Sequence, residues 1–507
     1  MSNLVDAMKR EAHATTTENG MKAYSTTESK MLDFFAIVGA MRERSEADII
    51  EMFDKAFNED PTHAIKCIFY ARDIRGGLGE RRTGRILLKH LAKTNPELLI
   101  KNFGCIAQYG RWDDFYEFVG TPVEKEMWQF LKEQLELDLA NLNAYNNGDK
   151  EAGLNVSLLG KWIKTPDSKT GARKLGIQTA LALGYSVYDF KRILRKLRKH
   201  LNVVECKMCA KEWEQINFSA VPSKAMMNYR GAFSKHTPEL YAQFLEKVKT
   251  GEAKINSGAL YPYDIVRAYG SNFSFTKPVD DTLEEQWKAL PNYADSKDSI
   301  LVMADVSGSM EGLPMDCSIS LAIYFAQRNN GAFKNLFMTF ESKPSFVSIE
   351  DCKNLHDAIT VAARASWGGS TNFIKAIEAI LNLCVKNNVP AEEVPKALVC
   401  ISDMEFDCAS YSWEARHNIA KNTNATLYEE LSEKFAAAGY TIPKIVFWNV
   451  NARNNTFHIE KSMPNTMCIS GSSASSFKSV IDAIDMTPME AMYNVLDDER
   501  YDSVITE

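Results

Sequence analysis

The stretch Leu301-Val-Met-Ala-Asp305-Val-Ser307-Gly-Ser309-Met310 decides how the rest of the chain is read. An apolar run over 300–304 stops at a carboxylate, and two hydroxyls follow at alternate positions before a helical pattern begins near Met315. A buried strand that ends in this way presents hard oxygen donors in a tight turn. That chemistry suits Mg²⁺ or Mn²⁺ with part of the water shell retained. Taken alone, the same residues also describe a short strand followed by a serine-rich turn.

The segment C-terminal to this stretch separates the two readings. Apolar strands are predicted at 300–304, 336–340, 397–401, 445–449 and 466–469, with helices at 315–327, 372–385, 427–438 and 476–486. Strand and helix in alternation predict a doubly wound, Rossmann-like, mainly parallel sheet with its ligands at the C-terminal strand ends. Two further segments bring oxygen groups to that same edge. Gly368-Gly-Ser-Thr371-Asn372 opens a helix, and the strand at 397–401 runs into Ser402-Asp403-Met404-Glu405-Phe406-Asp407.

The N-terminal half has a different rhythm. Residues 1–30 are polar and threonine-rich and read as an arm. From Met31 on, Leu32, Phe34, Phe35, Val38 and Met41 recur at three- and four-residue spacing, the signature of an amphipathic helix. Further helices are predicted at 47–57, 62–72, 81–91, 96–109 and 112–119. Such a succession over 31–285, without a clean sequence period, predicts an irregular α-solenoid. Residues 270–295 are polar and broken by proline, which marks a boundary. The expected organisation is therefore an arm (1–30), a helical domain (31–285), an α/β domain (296–490) and an acidic tail (491–507): α plus α/β.

Composition narrows the class. The chain has 507 residues, 45% of them hydrophobic and 25% charged, with a net charge of −7, as in ordinary globular proteins. Its ten cysteines are scattered, several of them in apolar runs, which reads as a reduced, cytoplasmic protein. Cys206-x-x-Cys209 has neither a second pair nor a nearby histidine, so it does not read as a zinc site. No apolar run approaches the ~18 residues that cross a bilayer, so no membrane partner is expected.

Charge is segregated. Between 161 and 200 eleven Lys and Arg residues face two Asp, a net +9 in a chain whose total is negative. Ile193, Leu194, Leu197 and Leu201 form an apolar stripe there, leaving Lys191, Arg192, Arg195, Lys196 and Lys199 for the outer face of a helix. A second cluster, Arg72, Arg75, Arg81, Arg82 and Arg85, surrounds Gly76-Gly77-Leu78-Gly79. That glycine turn lacks the Gly-Lys-Ser/Thr ending of a nucleotide P-loop. Each cluster alone can be a solvated helix face. Two in one helical array are the concentrated cationic charge that counterion release from a phosphate backbone requires.

These motifs carry a resemblance. The C-terminal segment resembles a von Willebrand factor A (vWA) domain with a metal-ion-dependent adhesion site: Asp305, Ser307 and Ser309 match its first loop, Thr371 its second and Asp403 its third. In that family a Mg²⁺ keeps one position for an acidic group of a partner. The combination with Trp367-Gly-Gly-Ser-Thr-Asn-Phe373 and Val446-Phe-Trp-Asn-Val450 resembles an uncharacterised vWA family of plants, fungi, bacteria and viruses. Ala71-Arg-Asp-Ile-Arg-Gly-Gly-Leu-Gly-Glu-Arg81, Tyr109-Gly-Arg-Trp-Asp-Asp114 and Val221-Pro-Ser-Lys-Ala225 resemble the rest of that family. They are also similar to the TROVE module of Ro autoantigen ribonucleoproteins. There, a ring of HEAT-like helices closed by a vWA domain binds small noncoding and misfolded RNAs.

The resemblance and the charge pattern together predict a noncatalytic protein that binds single-stranded or small structured noncoding RNA on Lys191, Arg192, Arg195, Lys196, Lys199, Arg72, Arg75, Arg81, Arg82 and Arg85. The alternative is an interaction scaffold in which the metal bridges to a partner's Asp or Glu. A metal-dependent hydrolase is disfavoured. Asp305, Asp403, Glu405 and Asp407 offer carboxylates, but two-metal chemistry needs a bridged ion pair, and eight dispersed histidines add no ligand cluster.

Overall fold

A computed structural model describes residues 13–168, 171–271, 275, 277–294, 299–340, 344–365, 373–407, 427–478 and 485–507. The helical half begins after a short antiparallel hairpin, β1 (Ala14–Thr16) and β2 (Lys22–Tyr24), paired Ala14 to Tyr24. Several of its helices start where the sequence supplies a cap. Ser29 accepts from the Leu32 amide at the head of Lys30–Ile37. Asp60 stands before Pro61 and accepts from the His63 amide at the head of Pro61–Arg72. Ser186 accepts from the Asp189 amide at the head of Val187–His200, whose last turn carries Arg198, Lys199 and His200 where the helix dipole favours cations. The segment expected as one helix over 96–109 is two, Pro96–Lys101 and Phe103–Tyr109, and 112–118 is a 3₁₀ turn.

The C-terminal half is a six-stranded sheet in the order β5-β4-β3-β6-β7-β8. Its strands are β3 (Ile300–Asp305), β4 (Leu336–Phe340), β5 (Ser345–Ser348), β6 (Ala397–Ser402), β7 (Lys444–Asn449) and β8 (Thr466–Ser470). All neighbours are parallel except β4 and β5. Alternation divides the sheet's side chains between two cores, as a sheet covered on both faces requires. Ile300, Val302, Ala304, Val399, Ile401, Val446 and Trp448 pack with Ile319, Ile323 and Phe325 of the helix Leu313–Arg328. Leu301, Met303, Leu398, Cys400, Ile445 and Phe447 join the other core, with Ile377, Ile380 and Leu431.

The chain reverses winding direction between β3 and β6. Since Ala304 pairs with Ile401, the ends of these two central strands lie side by side. A crevice at the C-terminal ends of such a pair is where open α/β sheets bind ligands.

Neither the described part of the arm, residues 13–30, nor the tail is a free extension. Tyr24 exchanges backbone hydrogen bonds with Phe457 (2.8 and 2.9 Å), and the Thr17 hydroxyl donates to the Phe406 carbonyl at 2.6 Å, so the arm is docked beside the end of β6. The tail crosses the opposite way. Tyr501 is 2% exposed beside the Tyr70 and Tyr109 rings, Arg500 pairs with the buried Asp73, and Asn102 donates to the Ile505 carbonyl at 2.7 Å.

The boundary expected within 270–295 carries a helix, Asp281–Lys288, which packs on the sheet domain. Trp287 donates to Gln327 at 2.7 Å, and Glu284 accepts from the Leu355 amide at 2.8 Å. Gly39 allows a close backbone approach between the halves. A Cβ there would stand 2.7 Å from the Ser470 backbone, and the Gly39 amide donates to the Ser470 hydroxyl at 3.0 Å.

Candidate metal site and basic surfaces

Asp305 closes β3 with no exposed surface. One carboxylate oxygen accepts from the Ser307 amide at 2.9 Å, which folds the turn back and brings the Ser307 and Ser309 hydroxyls within 3.1 Å of each other. The other oxygen accepts from the Ser402 hydroxyl of β6 at 2.5 Å. Asp403 follows at the tip of that strand, 2% exposed, and accepts from the Glu405 amide at 3.2 Å. Between them Met404 is held at φ +68°, a left-handed conformation that a side chain adopts at a cost; such strain concentrates where a loop must aim its neighbours.

The structure thus brings together Asp305, Ser307, Ser309 and Asp403; Thr371 lies outside the described residues. Burial, with the Asp403 charge adding to it, pushes the Asp305 carboxyl up to about 7. Two facing carboxylates in a buried place call for a cation. Two carboxylates with two hydroxyls are hard donors of the number and kind that could hold a Mg²⁺-sized ion while leaving room for water. Among the described residues no group of three His, Cys, Asp or Glu is placed to bind a metal, so hydroxyls complete any such set.

One cation is built in. Arg453, in the loop after β7, donates from Nη2 to Asp403 at 2.9 Å and from Nη1 to Glu18 of the arm at 2.8 Å. Burial opposes its charge, but Asp403, Glu18 and Glu405 outweigh it and raise its pKa. Glu405, 1% exposed, is enclosed in the same cluster, accepting from the Glu18 amide at 2.7 Å, Thr456 at 3.0 Å and Asn454 at 3.1 Å. Glu405 is therefore a structural carboxylate tied to the arm. Arg453 and Glu18 were missed in the sequence. The only available signal for Arg453 was its place four residues beyond the end of a strand at the ligand-bearing edge.

The arginines of the first basic cluster separate into two kinds. Arg72 is 2% exposed and paired at 2.8 Å with Asp114, which is fully buried. Arg85 holds Asp114 at 2.7 Å, Asp113 at 3.1 Å and Glu117 at 3.3 Å. These two serve the fold, and Arg72 is removed from the phosphate-contacting set because its guanidinium has no access to a ligand. Arg81 is half-exposed and paired with Asp113, and Arg75 is exposed. Arg82 is exposed and anchored by two carbonyls, those of Arg42 (3.1 Å) and Arg44 (2.8 Å), with no ion-pair partner among the described residues.

On the helix Val187–His200, Leu194 and Leu197 of the expected stripe are buried, Ile193 and Leu201 are half-buried against the core, and Phe190 joins them. Arg192, Arg195, Lys196 and Lys199 are exposed, and Lys191 is half-exposed against Asp167. At 3.6 residues per turn these five cover an arc of about 140°. Arg198 turns inward to the Gly160 carbonyl at 2.9 Å, fastening the segment around 160–163 along the helix. Arg111 lies 4.2 Å over the Trp162 ring and shares Asp113 with Arg81, so the two basic regions are linked through Arg111, which is outside the predicted RNA-binding set. Tyr188, 70% exposed, stands on the basic face with the Arg192 guanidinium 5.8 Å from its ring.

Among the described residues no helix is long and apolar enough to cross a membrane. Comparison with known proteins matches residues 299–504 to a domain of unknown function (DUF7788). Residues 17–135 and 179–294 match another domain of unknown function (DUF2828). The chain is also similar to the uncharacterized protein L728 of Acanthamoeba polyphaga mimivirus, 28% identical over 529 residues, covering 96% of this chain and 88% of that protein. The sheet half and the helical half are thus similar to two separate domain families, both of unknown function.

Proposed function

We propose that the protein is a noncatalytic RNA-binding protein of the TROVE and vWA type. Its helical half would be a HEAT-like array that grips RNA, and its sheet half a vWA-like domain holding Mg²⁺ or Mn²⁺. The observation that carries this reading is the face of the helix Val187–His200. Arg195, Lys196 and Lys199 are exposed there without ion-pair partners among the described residues, beside an exposed Tyr188. Cations that track a backbone and an aromatic ring on which a base can stack are what sequence-tolerant single-strand binding uses. Arg75, Arg81 and Arg82 extend the cationic surface; Arg72 and Arg85 support it from beneath. In the sheet half, Asp305, Ser307, Ser309 and Asp403, with Thr371, would supply the metal's oxygen ligands.

The test is to sequence nucleic acid that co-purifies with the native protein, against a variant carrying Arg192→Ala, Arg195→Ala, Lys196→Ala and Lys199→Ala. RNA recovered with the native chain and lost from the variant supports the reading. Equal recovery from both refutes it. A second reading is a scaffold that takes a partner's carboxylate on the metal, and it is favoured by the Ser309 hydroxyl, exposed at the rim above two buried carboxylates. A partner captured in a chelator-sensitive, nuclease-insensitive way and lost in Asp305→Ala selects it.

A further inference from the structure

Between the helices Glu46–Glu59 and Arg81–Thr94 lies a groove of about 460 Å³, bounded by Arg81, Arg82, Arg85, Lys89 and Lys93 and floored by Ile50 and Ile86. Its volume is within the range of small-ligand sites. Five cations line it against two carboxylates, Glu46 and Glu117, and Glu117 is already held by Arg85. His90 is engaged by Asp54 through Nε2 at 2.7 Å.

The cations stand in a column on one helix. Arg81 and Arg85, Arg85 and Lys89, and Lys89 and Lys93 are each four residues apart, a spacing at which like charges repel along a helix. Asp113 and Asp114 neutralise the lower end, through Arg81 and Arg85. Nothing neutralises the upper end: Lys89 and Lys93 are exposed with no ion pair or hydrogen bond among the described residues. Arg82 is fixed by the two carbonyls of the 42–44 turn through Nη1 alone, so its orientation is set while its charge is uncompensated. A preorganised guanidinium with two exposed ammoniums further along the same helix offers cations to several phosphates at once. The apolar floor beside it gives a flat body somewhere to rest.

We propose that this groove binds a nucleoside oligophosphate, its phosphates on Arg82, Lys89 and Lys93 and its base or sugar against Ile50 and Ile86. The same chemistry reaches the groove from two sources, a free nucleotide or the 5′-triphosphate end of an RNA. The site stands on its own lining residues and does not depend on the face of the helix Val187–His200 for its chemistry.

The experiment is titration calorimetry at low salt on the full chain with tripolyphosphate, ATP, a short 5′-triphosphate RNA and the same RNA bearing a 5′-hydroxyl. The variants are Lys89→Ala with Lys93→Ala, which removes no hydrogen bond or ion pair among the described residues, and Arg82→Ala. Arg195→Ala with Lys196→Ala and Lys199→Ala serves as a control. Tripolyphosphate and ATP binding weakened about tenfold or more by the groove variants and kept by the control supports the site. A preference for triphosphate over hydroxyl RNA that disappears in the groove variants assigns the RNA end as a source, and its absence assigns the free nucleotide. No oligophosphate binding, binding indifferent to the groove variants, or binding lost only in the control overturns the proposal. Arg82 also belongs to the proposed RNA surface, so the Lys89 with Lys93 variant, which leaves Arg75, Arg81 and Arg82 in place, is the one that lets the two readings fail separately.

Discussion

Arg453 and Asp403 face each other at 2.9 Å across the loops that end β7 and β6, and the same guanidinium holds Glu18 of the N-terminal arm. The site's acidic edge and the arm are thereby coupled through one side chain. Arg453→Met leaves Asp403, 2% exposed, without its cation, and is expected to cost about 1–3 kcal/mol, less than for a fully buried pair because Arg453 is a third exposed. If the carboxylates hold a divalent ion, Mn²⁺ should raise the unfolding temperature of the variant by more than that of the native chain. Thermal unfolding with and without Mn²⁺ reads this, and equal shifts in both proteins would separate Arg453 from the metal.

A pH effect should come from His458. Its ring lies 4.7 Å from Phe406 and 5.4 Å from Phe447, and burial pushes it down to about 4. Between pH 6.5 and 4 the unfolded chain takes up a proton that the folded chain refuses. This contribution is therefore complete above pH 6.5 and declines as pH falls, by about 3 kcal/mol at pH 4. His458→Gln removes that slope, whatever it does to stability at neutral pH. Denaturant midpoints measured across this range check it, and an unchanged slope would show that other groups dominate.

Arginines ten residues apart in the same basic cluster should behave oppositely. Arg72→Met breaks a pair with the fully buried Asp114 and is expected to destabilise by about 3–5 kcal/mol. Arg82→Ala, at an exposed position, should stay within about 0.5 kcal/mol. Urea unfolding of the two variants decides, and similar losses in both would contradict the division into fold-bearing and free arginines.

The tail should be needed for the helical half. Tyr501 is packed between Tyr70 and Tyr109, so Tyr501→Ala is expected to cost about 3–5 kcal/mol. A chain ending at Asp497 should become sensitive to protease within Pro61–Arg72 and Phe103–Tyr109. Protease resistance equal to that of the full chain would mean that these helices hold without it.

Periodicity made most of the architecture legible. The strands β3, β4, β6, β7 and β8 are apolar runs, and such runs announce themselves; each of these five lies within one residue of its expected bounds. The strand β5 was not legible, because Ser345–Ser348 is a short, half-exposed edge. Asp305, Ser307, Ser309 and Asp403 were legible as strand-end oxygens. Arg453 and Glu18 were not, since their pairing joins positions 435 residues apart. For the same reason the polar arm and acidic tail read as appendages: Thr17 meets Phe406 and Arg500 meets Asp73 only in the folded chain. Composition also could not distinguish Arg72 from Arg82, because burial and not charge separates them.

The most direct test of the account is the affinity for a short 5′-hydroxyl single-stranded RNA measured over a series of salt concentrations. Four or five phosphate contacts on the helix Val187–His200 should give a slope of about −3 in log K against log salt, since each contact contributes about −0.7. Alanine at Arg192, Arg195, Lys196 and Lys199 should flatten that slope and weaken binding at every salt concentration. An affinity that does not move with salt, or a variant whose slope matches that of the native chain, would contradict it.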